Sequence, residues 1–516
     1  MEKIPTGLKD CYLLIPKRLG DERGYFESVT KKDLEELGFK TFHQVSNSLS
    51  GKGIVRGSHY QKDPYCQAKV VRCHRGAVVD VVVDLRKDSP TFGQSVGYLL
   101  TPENGYMLYV PRGFGHAFLS LSDDTLFEYY VDNEYMPRLE GGVLWNDPKI
   151  GYDWQQWFDK FGIKDPVLKM ADQTRPGIDD MDTEFFCKKK KFLVTGVKGQ
   201  LGHDIVRELV DRGEENILAV DIDDMDITNR DEVMKVVTDY QPDVIFHCAA
   251  WTAVDKAEDK TEHLVANGKN IFKDCRLNTT ISELVATGKV RYCSDKDMCY
   301  EVNVEGTKNI TDASIEVGAK LIYMSTDYVF DGKKDGLYTE EDTPNPQSVY
   351  GLTKWLGEEE VRRNPNHFIT RISWVFGING KNFVKTMLNL ADNYDNLKVV
   401  NDQVGSPTYT VDLAKLLVEM AYSKKYGTYH VNNDGYCSWA EFASKIMEIN
   451  KKNTIITPVT TAEYYAGKDM SLIATRPFNS KLDKTKLKEN FYTLPTWEDA
   501  TRRYSDELSK VYTIKR

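Results

Sequence analysis

In the first part of the chain, short apolar segments are broken by polar and turn-forming residues. The segments at 70–86, VVRCHRGAVVDVVVDLR, and at 104–121, NGYMLYVPRGFGHAFLSL, are rich in β-branched and aromatic residues and are interrupted by turn-forming glycines. Neither segment has the three-to-four-residue spacing of an amphipathic helix. The pattern predicts short strands folded as an all-β barrel or jelly roll.

A different pattern begins at Lys191. Short apolar strands alternate with helical stretches in KFLVTG (191–196), LGHDIVRELVDRG (201–213), NILAVDI (216–222), DEVMKVVTDY (231–240) and PDVIFHCAA (242–250). Such a βαβ succession implies parallel strands, because each connection has to cross the sheet through a helix. The second part of the chain is therefore predicted to be an α/β domain built on a doubly wound parallel sheet.

A polar, acidic segment, ADQTRPGIDDMDTEFFCKKK (171–190), separates the two patterns and contains a Pro-Gly pair. At 516 residues the chain is too long for one hydrophobic core. We therefore predict a jelly-roll domain at 1–178, a linker at 179–190 and a Rossmann domain at 191–516.

Composition narrows the class of protein. Hydrophobic residues make up 41% of the chain and charged residues 28%, which is typical of globular proteins. No segment reaches the roughly 18 apolar residues of a membrane span, and the opening MEKIPTGLKDCYLLIPKR lacks the apolar core of a secretory signal. A net charge of -10 disfavours a nucleic-acid partner. Nine cysteines without a CxxC pair indicate reduced thiols, so we expect a cytoplasmic protein.

The segment KFLVTGVKGQLGHDIV carries a glycine-rich loop between a strand and a helix. Gly196, Gly199 and Gly202 are spaced as GxxGxxG, which lets a backbone approach a pyrophosphate closely at the helix N-terminus. Asp221 ends the next strand, where a carboxylate accepts hydrogen bonds from ribose hydroxyls. This favours NADH, whereas Lys198 in the loop suits the 2′-phosphate of NADPH, and both cofactors stay open.

The spacing Tyr-x-x-x-Lys, the catalytic pair of short-chain dehydrogenases, occurs five times, starting at Tyr65, Tyr292, Tyr350, Tyr394 and Tyr464. Tyr350 and Lys354 stand out because they open a predicted helix and follow the segment LIYMSTDYVFDG, which contains Thr326. One helical turn places both side chains on one face, where a nearby cation lowers the pKa of the phenol. We therefore expect Tyr350 to protonate a ketone oxygen as a hydride is delivered, and Thr326 to bind the same oxygen.

The second half resembles the dTDP-4-dehydrorhamnose reductases through HCAAWTAVDKAE, STDYVFDG, RISWVFG, NFVKTM, DQVGSPTYT and RPFNSKLD. The resemblance implies reduction of the C4 ketone of a nucleotide sugar by NADPH or NADH, with a small C-terminal substrate-binding region. The implied cofactor contacts are Gly196, Gly199, Gln200, Leu201, Gly202, Asp221, Asp226, Ile227, Ala250, Thr252, Tyr350 and Lys354. The implied substrate contacts are Thr326, Asp327 and Trp374.

The first half resembles the dTDP-4-dehydrorhamnose 3,5-epimerases, which have a cupin-like jelly roll, through DERGYFE, GIVRGSHYQ, QAKVVR, PRGFGHAF and EGGVLWNDP. A C4 ketone acidifies the protons at C3 and C5, so epimerisation requires a base, an acid on the opposite face and an enolate stabiliser. The resemblance implies His59 as the base oriented by Asp172, Tyr129 as the acid and Lys69 beside the developing oxyanion. The implied substrate contacts are Arg23, Glu27, Gln44, Arg56, His116, Tyr135 and Glu140.

Several features depart from these families. The epimerases carry Asn where Ser46 stands and Lys where Ala171 stands, and Asp80 is an alternative partner for His59. Jelly rolls often bind metal through paired histidines, but RGSHYQ has one histidine and His116 lies far along the chain, so we expect no metal.

The reductase-like half also contains an extra segment at 259–295. The spacings of His263, Cys275, Cys293 and Cys299 are not those of a zinc motif, so we interpret the segment as a solvated insertion.

Together the two halves predict a bifunctional enzyme that converts a nucleoside-diphosphate 4-dehydro-6-deoxy-D-glucose to the nucleoside-diphosphate L-rhamnose. Epimerisation comes first, because reduction removes the ketone that acidifies C3 and C5. One alternative is a reductase with a degenerate sugar-nucleotide-binding jelly roll, and another is a non-enzymatic nicotinamide sensor. The nucleotide, dTDP or UDP, stays open, and the resemblance implies a homodimer.

Overall fold

The computed structural model describes residues 1–39, 43–258, 264–266, 269–270, 290–292, 298–468 and 473–514. The chain divides into two compact units, Met1–Lys189 and Lys190–Arg516. None of the helices in the described part of the chain is long and apolar enough to cross a membrane.

The described strands of the first unit are β1 (Glu2–Pro5), β2 (Tyr12–Ile15), β3 (Leu19–Asp21), β4 (Gly24–Phe26), β5 (Gln44–Ser50), β6 (Val55–Gln61), β7 (Lys69–Arg75), β8 (Val78–Asp84), β9 (Ser95–Leu100), β10 (Met107–Val110), β11 (Phe114–Ser120), β12 (Thr125–Val131) and β13 (Glu140–Gly142). The helices are α1 (Lys31–Glu35), α2 (Gln155–Phe161) and α3 (Met170–Gln173), with 3-10 turns at Pro137–Leu139 and Ile178–Asp180.

Two antiparallel sheets face each other in this unit. One has the strand order β1-β2-β10-β7-β12-β5 and the other β13-β6-β11-β8-β9. The core between them contains Val71 and Phe127 from the first sheet and Val82 and Phe118 from the second. The predicted jelly roll is confirmed.

Strand β8 explains how a carboxylate comes to lie inside the jelly roll. Side chains alternate along a strand, so Val78 and Val82 face the core between the sheets. Val79 and Val81 face the opposite side, where helix α2 covers them. Asp80 has the same parity as Val78 and Val82 and is fully buried. The VVDVVVD sequence therefore directs one acid into the interior of the fold.

The first unit continues through most of the predicted linker, 179–190. Phe185 is 2% exposed and its ring packs edge-on against Tyr60 at 5.2 Å between centroids. The Asp88 carboxylate accepts hydrogen bonds from the N–H groups of Cys187 and Lys188. The first unit therefore ends at Lys189 rather than at residue 178, because a buried aromatic residue lies within an otherwise polar segment.

The described strands of the second unit are β14 (Lys191–Thr195), β15 (Asn216–Val220), β16 (Val244–His247), β17 (Leu264–Ala266), β18 (Lys269–Asn270), β19 (Val290–Tyr292), β20 (Lys320–Thr326), β21 (His367–Ile372), β22 (Val375–Phe376), β23 (Asn396–Val400), β24 (Val404–Gly405), β25 (Thr408–Tyr409), β26 (Gly427–His430), β27 (Cys437–Ser438) and β28 (Ile455–Val459).

Its described helices are α4 (Gln200–Asp211), α5 (Arg230–Tyr240), α6 (Val254–Glu258), α7 (Met298–Tyr300), α8 (Thr307–Glu316), α9 (Val349–Val361), α10 (Phe383–Ala391), α11 (Thr410–Tyr422), α12 (Trp439–Ile449), α13 (Thr461–Tyr464), α14 (Thr485–Asn490) and α15 (Trp497–Ile514). A π-helical turn, Glu301–Gly306, joins α7 to α8, and a 3-10 turn follows β20 at Asp327–Val329.

A parallel sheet with the order β15-β14-β16-β20-β21-β26 forms the centre of this unit. Helices cover both faces: Phe192 and Val194 contact the cluster that includes α4 and α11, and Leu193 contacts the cluster of α5 and α8. The predicted Rossmann fold is confirmed. The strand order reverses beside β14, and ligands of such sheets bind at the carboxyl ends of the strands near that point.

A smaller C-terminal region packs around Phe376, Phe442 and Tyr504. It includes the strand pairs β22-β25, β23-β28 and β24-β27, and it agrees with the predicted substrate-binding region. Most of the segment at 259–295 lies outside the described residues, as do His263, Cys275 and Cys293. Strands β17, β18 and β19 of that segment form a small antiparallel sheet.

The burial of Phe185 gives a test of where the first unit ends. Replacing Phe185 by Ala should lower the free energy of unfolding of this unit by about 3 kcal/mol, because it leaves a cavity beneath the segment. Phe186→Ala is the matched control, since the Phe186 side chain is 49% exposed. Calorimetry of the full chain measures both variants. Equal free energies of unfolding for the two variants would indicate that residues 179–189 are a linker and not part of the first unit.

Candidate active sites

His59 and Asp172 form a hydrogen-bonded pair in the first unit. His59 lies on β6, and its Nε2 is 2.7 Å from Oδ1 of Asp172 on α3. Burial opposes ionisation of Asp172, but the hydrogen bonds from His59 and from the Gly57 N–H, together with the charge of Arg175, outweigh it. They hold the pKa of the Asp172 carboxyl below its ordinary value. Asp172 is therefore an anion that accepts a hydrogen bond from the imidazole.

Arg175 connects this pair to two predicted substrate contacts. Its Nη2 donates to Oε1 of Glu140 at 3.0 Å, and its Nε is 3.8 Å from Oδ1 of Asp172. The Tyr135 hydroxyl donates to the other Glu140 oxygen at 2.6 Å. Burial opposes ionisation of Glu140, but Tyr135, His59 and Arg175 together hold the pKa of its carboxyl below the ordinary value. The charge of Arg175 acts in the same direction on the pKa of Asp172.

Asp80 pairs with His116, not with His59. His116 Nε2 is 2.7 Å from Oδ1 of Asp80, and both side chains are buried. Burial raises the pKa of Asp80, although the charges of His116 and Lys69 oppose the shift. Burial likewise lowers the pKa of Lys69, opposed by Cys66, Asp80 and Glu140. The interior therefore holds a lysine beside two carboxylates.

The two histidines lie closer together than their separation along the sequence suggested. His59 and His116 are directly opposite each other on β6 and β11. The separation of His59 and His116 along the chain is therefore no argument against a shared metal site. Each Nε2 is bonded to its own carboxylate. Within the described residues, no group of three or more His, Cys, Asp or Glu side chains is arranged to hold a metal ion.

Tyr129 points into the same interior. Its hydroxyl donates to Oγ of Ser48 at 2.8 Å, and its ring lies edge-on to His116 at 6.4 Å. Burial raises the pKa of the phenol, which the hydrogen bond to Ser48 and the charge of Arg56 partly offset. Tyr129 is therefore a protonated group that can donate. Ser46, directly opposite Tyr129 on β5, accepts a hydrogen bond from the Gln44 amide at 2.8 Å.

Three predicted substrate contacts are hydrogen-bonded or ion-paired to residues outside the groups described above, although the charge of Arg56 also acts on Tyr129. Arg23 lies on the β3–β4 hairpin, is 84% exposed and is paired with Asp21. Glu27 accepts hydrogen bonds from Arg18 and Arg72. Arg56 is exposed, and its Nε donates to Ser50 at 3.3 Å.

The glycine-rich loop of the second unit is closely packed. A Cβ on Gly202 would lie 2.4 Å from the Gly196 carbonyl oxygen, and Gly196 itself has a φ of +68°. A Cβ on Gly199 would lie 3.1 Å from the same oxygen. These positions leave the loop backbone and the first turn of α4 open to a diphosphate. The cradle fits the pyrophosphate of a nicotinamide dinucleotide.

Asp221 lies beside this loop. Its Oδ2 accepts a hydrogen bond from the Lys198 N–H at 2.8 Å, and its Oδ1 accepts one from the Ile222 N–H at 3.0 Å. The Lys198 ammonium pairs with Asp223. The carboxylate is thus fixed at the end of β15, where a ribose would lie.

The other predicted cofactor contacts surround the same edge of the sheet. Asp226 accepts two hydrogen bonds from Thr228, and the Ile227 side chain is buried in the core. Ala250 is half-buried and Thr252 is exposed in the loop after β16. The side chain of Gln200 accepts a hydrogen bond from the Gly377 N–H at 2.8 Å, and Leu201 packs in the core.

Tyr350 and Lys354 lie one turn apart on α9. Burial raises the pKa of Tyr350, against a hydrogen bond with Thr326 that lowers it. Lys354 is 2% exposed, and its Nζ lies 4.1 Å from the centre of the Tyr323 ring. Burial lowers the pKa of Lys354 to about 7, opposed chiefly by the charge of Glu358. Thr326, Tyr350 and Lys354 thus lie together, as the sequence predicts.

A cleft of about 210 Å³ opens beside this group. Asp327 and Trp374 line it, as predicted, together with Lys398, Trp439 and Arg476. Trp374 stacks on Trp439 with ring centroids 3.7 Å apart. Aromatic faces and two cations in one cleft suit a base and a diphosphate.

Comparisons with known proteins match both halves. A family profile described as dTDP-4-dehydrorhamnose 3,5-epimerase covers residues 5–180, and one described as RmlD substrate binding domain covers residues 190–271 and 270–510. An epimerase of that name from Salmonella typhimurium is 45% identical over 174 residues, which are 33% of this chain and 95% of that protein.

For the second half, a dTDP-4-dehydrorhamnose reductase from Aggregatibacter actinomycetemcomitans is 36% identical over 320 residues, 60% of this chain and 97% of that protein. The crystal structure of a Bacillus anthracis reductase of the same name, in complex with NADP, is also 36% identical. It covers 62% of this chain and 100% of that one, with a TM-score of 0.53.

This chain belongs to both the dTDP-4-dehydrorhamnose 3,5-epimerase and the dTDP-4-dehydrorhamnose reductase families. The predicted fusion is confirmed. We call Met1–Lys189 the epimerase half and Lys190–Arg516 the reductase half.

Some residues of these sites were not identified from the sequence. In the epimerase half, Arg175 stands three positions after Asp172, a spacing that places it on the same side of a helical turn. Ser48 shares strand parity with Gln44, which could have indicated it. In the reductase half, Trp439 and Arg476 reach the cleft from distant parts of the chain. Arg476 opens the segment RPFNSKLD, which could have indicated it, whereas no local pattern marks Trp439.

The hydrogen-bonded pair of His59 and Asp172 predicts how the epimerase half responds when the Asp172 charge is removed. Asp172→Asn should slow solvent exchange of the substrate's C3 and C5 protons by about 100-fold or more, because the imidazolium of His59 loses its counterion. Deuterium incorporation without cofactor measures the rate. Asp165→Asn, at an exposed position of the same half, is the control and should exchange normally. Wild-type exchange in Asp172→Asn would contradict the assignment.

Proposed function

We propose that this chain converts a nucleoside-diphosphate 4-dehydro-6-deoxy-D-glucose to the nucleoside-diphosphate L-rhamnose in two steps, at one site in each half. The observation that carries the proposal is that each half has its own acid–base set. His59, Asp172 and Tyr129 are assembled in the epimerase half, and Thr326, Tyr350 and Lys354 in the reductase half.

The epimerase half removes and replaces protons next to the C4 ketone. Asp172 is an anion and can only accept, so Nε2 of His59 carries the hydrogen and Nδ1 presents the lone pair. His59 takes the proton, and Asp172 stabilises the resulting imidazolium. Tyr129, held as a phenol by its raised pKa, returns a proton on the opposite face. Lys69 is assigned to the enolate oxygen.

The reductase half then reduces the ketone at C4. A bound NADPH or NADH supplies the hydride, and the complex of the Bacillus anthracis relative with NADP supports this class of cofactor. Tyr350 holds the proton that the C4 oxygen takes, and Thr326 binds the same oxygen. Lys354 stabilises the tyrosinate that remains. The glycine cradle and Asp221 orient the dinucleotide so that it reaches this group.

The rival reading is a reductase that carries a degenerate jelly roll. Ser46 and Ala171 replace the residues usual in the epimerases. The geometry argues against loss of function, because Ser46 is bonded to Gln44 and Asp172 reaches His59 without the usual lysine beside it. A non-enzymatic nicotinamide sensor does not require the grouping of Thr326, Tyr350 and Lys354.

The cleft in the reductase half has aromatic and cationic side chains of the kind that bind a nucleoside diphosphate. We assign the stacked Trp374 and Trp439 to the base and Arg476 and Lys398 to the diphosphate. Stacking and charge do not separate thymine from uracil, so dTDP and UDP sugars are both substrates to be compared.

The proposal includes a cytoplasmic homodimer. The β3–β4 hairpin exposes Leu19, Tyr25 and Phe26 beside Arg23, an arrangement that a second copy of the chain would cover. Light scattering at micromolar concentration should give twice the chain mass. Nine cysteines without a CxxC pair are consistent with a reducing compartment.

Two variants separate the activities. His59→Ala should abolish proton exchange at C3 and C5 but leave cofactor binding unchanged. Tyr350→Phe should preserve exchange and reduce NADPH-dependent turnover by about 100-fold or more. NMR of the sugar and absorbance of the cofactor measure the two steps.

Mixing the two variants supplies an internal control. Because each variant keeps one site intact, the mixture should form the L-rhamnose product that neither forms alone. Full turnover by Tyr350→Phe would refute the reductase mechanism, and product formation by His59→Ala would refute the epimerase mechanism.

A further inference from the structure

Glu358 is a fully buried acid on the helix that carries the reductase pair. It lies one turn beyond Lys354 and two turns beyond Tyr350 on α9, and its side chain has no exposed surface. An ionised carboxylate is costly to bury unless its oxygens are fully bonded. The hydrogen-bond partners of Glu358 therefore indicate its role.

Both carboxylate oxygens are bonded to neighbouring elements. Arg371 on β21 donates through Nε to Oε1 at 2.9 Å and through Nη2 to Oε2 at 2.8 Å. Ser325 on β20 donates its hydroxyl to Oε1 at 2.5 Å, and Arg362 donates to Oε2 at 3.1 Å. The pKa of Glu358 is lowered, because Arg371, Ser325 and Arg362 outweigh the effect of burial.

The hydrogen bond to Ser325 joins the two elements that supply the chemistry. Ser325 immediately precedes Thr326 on β20, and Glu358 follows Tyr350 and Lys354 on α9. One carboxylate oxygen thus links the strand that carries the ketone-binding hydroxyl to the helix that carries the acid and the ammonium.

Glu358 is also the anion that faces Lys354. The other groups around the ammonium are His247 at the end of β16, Cys248 directly after it, Cys299 on α7 and Tyr323 on β20. Burial lowers the pKa of His247 to about 3 and raises that of Cys248 to about 12, so both are neutral at pH 7. Burial also raises the pKa of Tyr323.

We propose that Glu358 is a positioning residue of the reductase half, which fixes Thr326 relative to Tyr350 through Ser325 and places a negative charge one helical turn from Lys354, where it favours the ammonium form. This inference rests on the proposed function of that half. A purely structural Glu358–Arg371 pair is the alternative, since buried ion pairs can often be replaced by apolar residues of similar size.

The pH dependence of cofactor binding and reduction tests the charge. In the wild type, kcat/KM for NADPH and the NADPH association constant should both fall as Lys354 loses its proton, and kcat/KM reports on the free enzyme. Glu358→Gln keeps the shape but removes the charge. It should shift the alkaline limbs of both pH profiles to lower pH by about one unit. On the alkaline side, kcat/KM and the association constant should therefore each be about tenfold lower than in the wild type. Epimerase exchange should not change.

Two further variants separate charge from packing. Ser325→Ala removes the tether alone and should lower kcat without moving either limb. The double variant Glu358→Met with Arg371→Met removes the charge without leaving a guanidinium unpaired, so it should fold and still show the shifted limbs. It replaces Glu358→Gln if that variant does not fold.

The outcomes are distinct. If a folded variant that lacks the Glu358 charge has the same alkaline limbs as the wild type, the proposal is wrong. Glu358 and Arg371 would then be an ion pair with a structural role alone. NADPH fluorescence reports binding without turnover. If the wild type binds NADPH with the expected limb but reduces neither nucleotide sugar, the proposed function fails while the role of Glu358 in setting the charge of Lys354 stands.

Discussion

Both active sites depend on keeping buried ionisable side chains in the charge state that their chemistry needs. Burial alone raises the pKa of a carboxyl and lowers that of an amine. In the epimerase half it acts against Asp172 and Lys69, and in the reductase half against Lys354. Without its counterion His59 would be a weaker base, and a neutral lysine would not stabilise the anion that forms beside it. The charged neighbours of these groups are therefore as necessary as the groups themselves.

The two halves meet this need with different architectures. In the jelly roll, strand parity directs Lys69, Asp80, His116 and Tyr129 inward from several strands, and α3 adds Asp172. Opposite charges then meet across the interior. In the Rossmann half, helix α9 supplies Tyr350, Lys354 and Glu358 at intervals of one turn. The sheet contributes Thr326 and Ser325 from one strand and Arg371 from the next.

The sequence was sufficient for both fold classes and for the residues within local motifs. The β-rich segments broken by turn residues in the first half and the βαβ succession after Lys191 are local patterns of the chain, so they can be recognised without knowledge of tertiary contacts. Tyr350 and Lys354 were separated from four other pairs of the same spacing by their helix and the preceding strand. Pairings across the fold were less accessible. Only the side-chain positions show that Asp80 is hydrogen-bonded to His116, and only the strand register shows that His59 lies opposite His116. Phe185 was missed because one buried aromatic residue does not change the polar character of its segment.

The central claim is that one chain inverts C3 and C5 before it reduces C4, and the isotope pattern of the product tests it most directly. The full chain is incubated in D₂O with dTDP-4-dehydro-6-deoxy-D-glucose and unlabelled NADPH, and the product sugar is examined by NMR. We predict L-rhamnose with deuterium at C3 and C5 and protium at C4. A reduced sugar that keeps the D configuration and protium at C3 and C5 would contradict the claim.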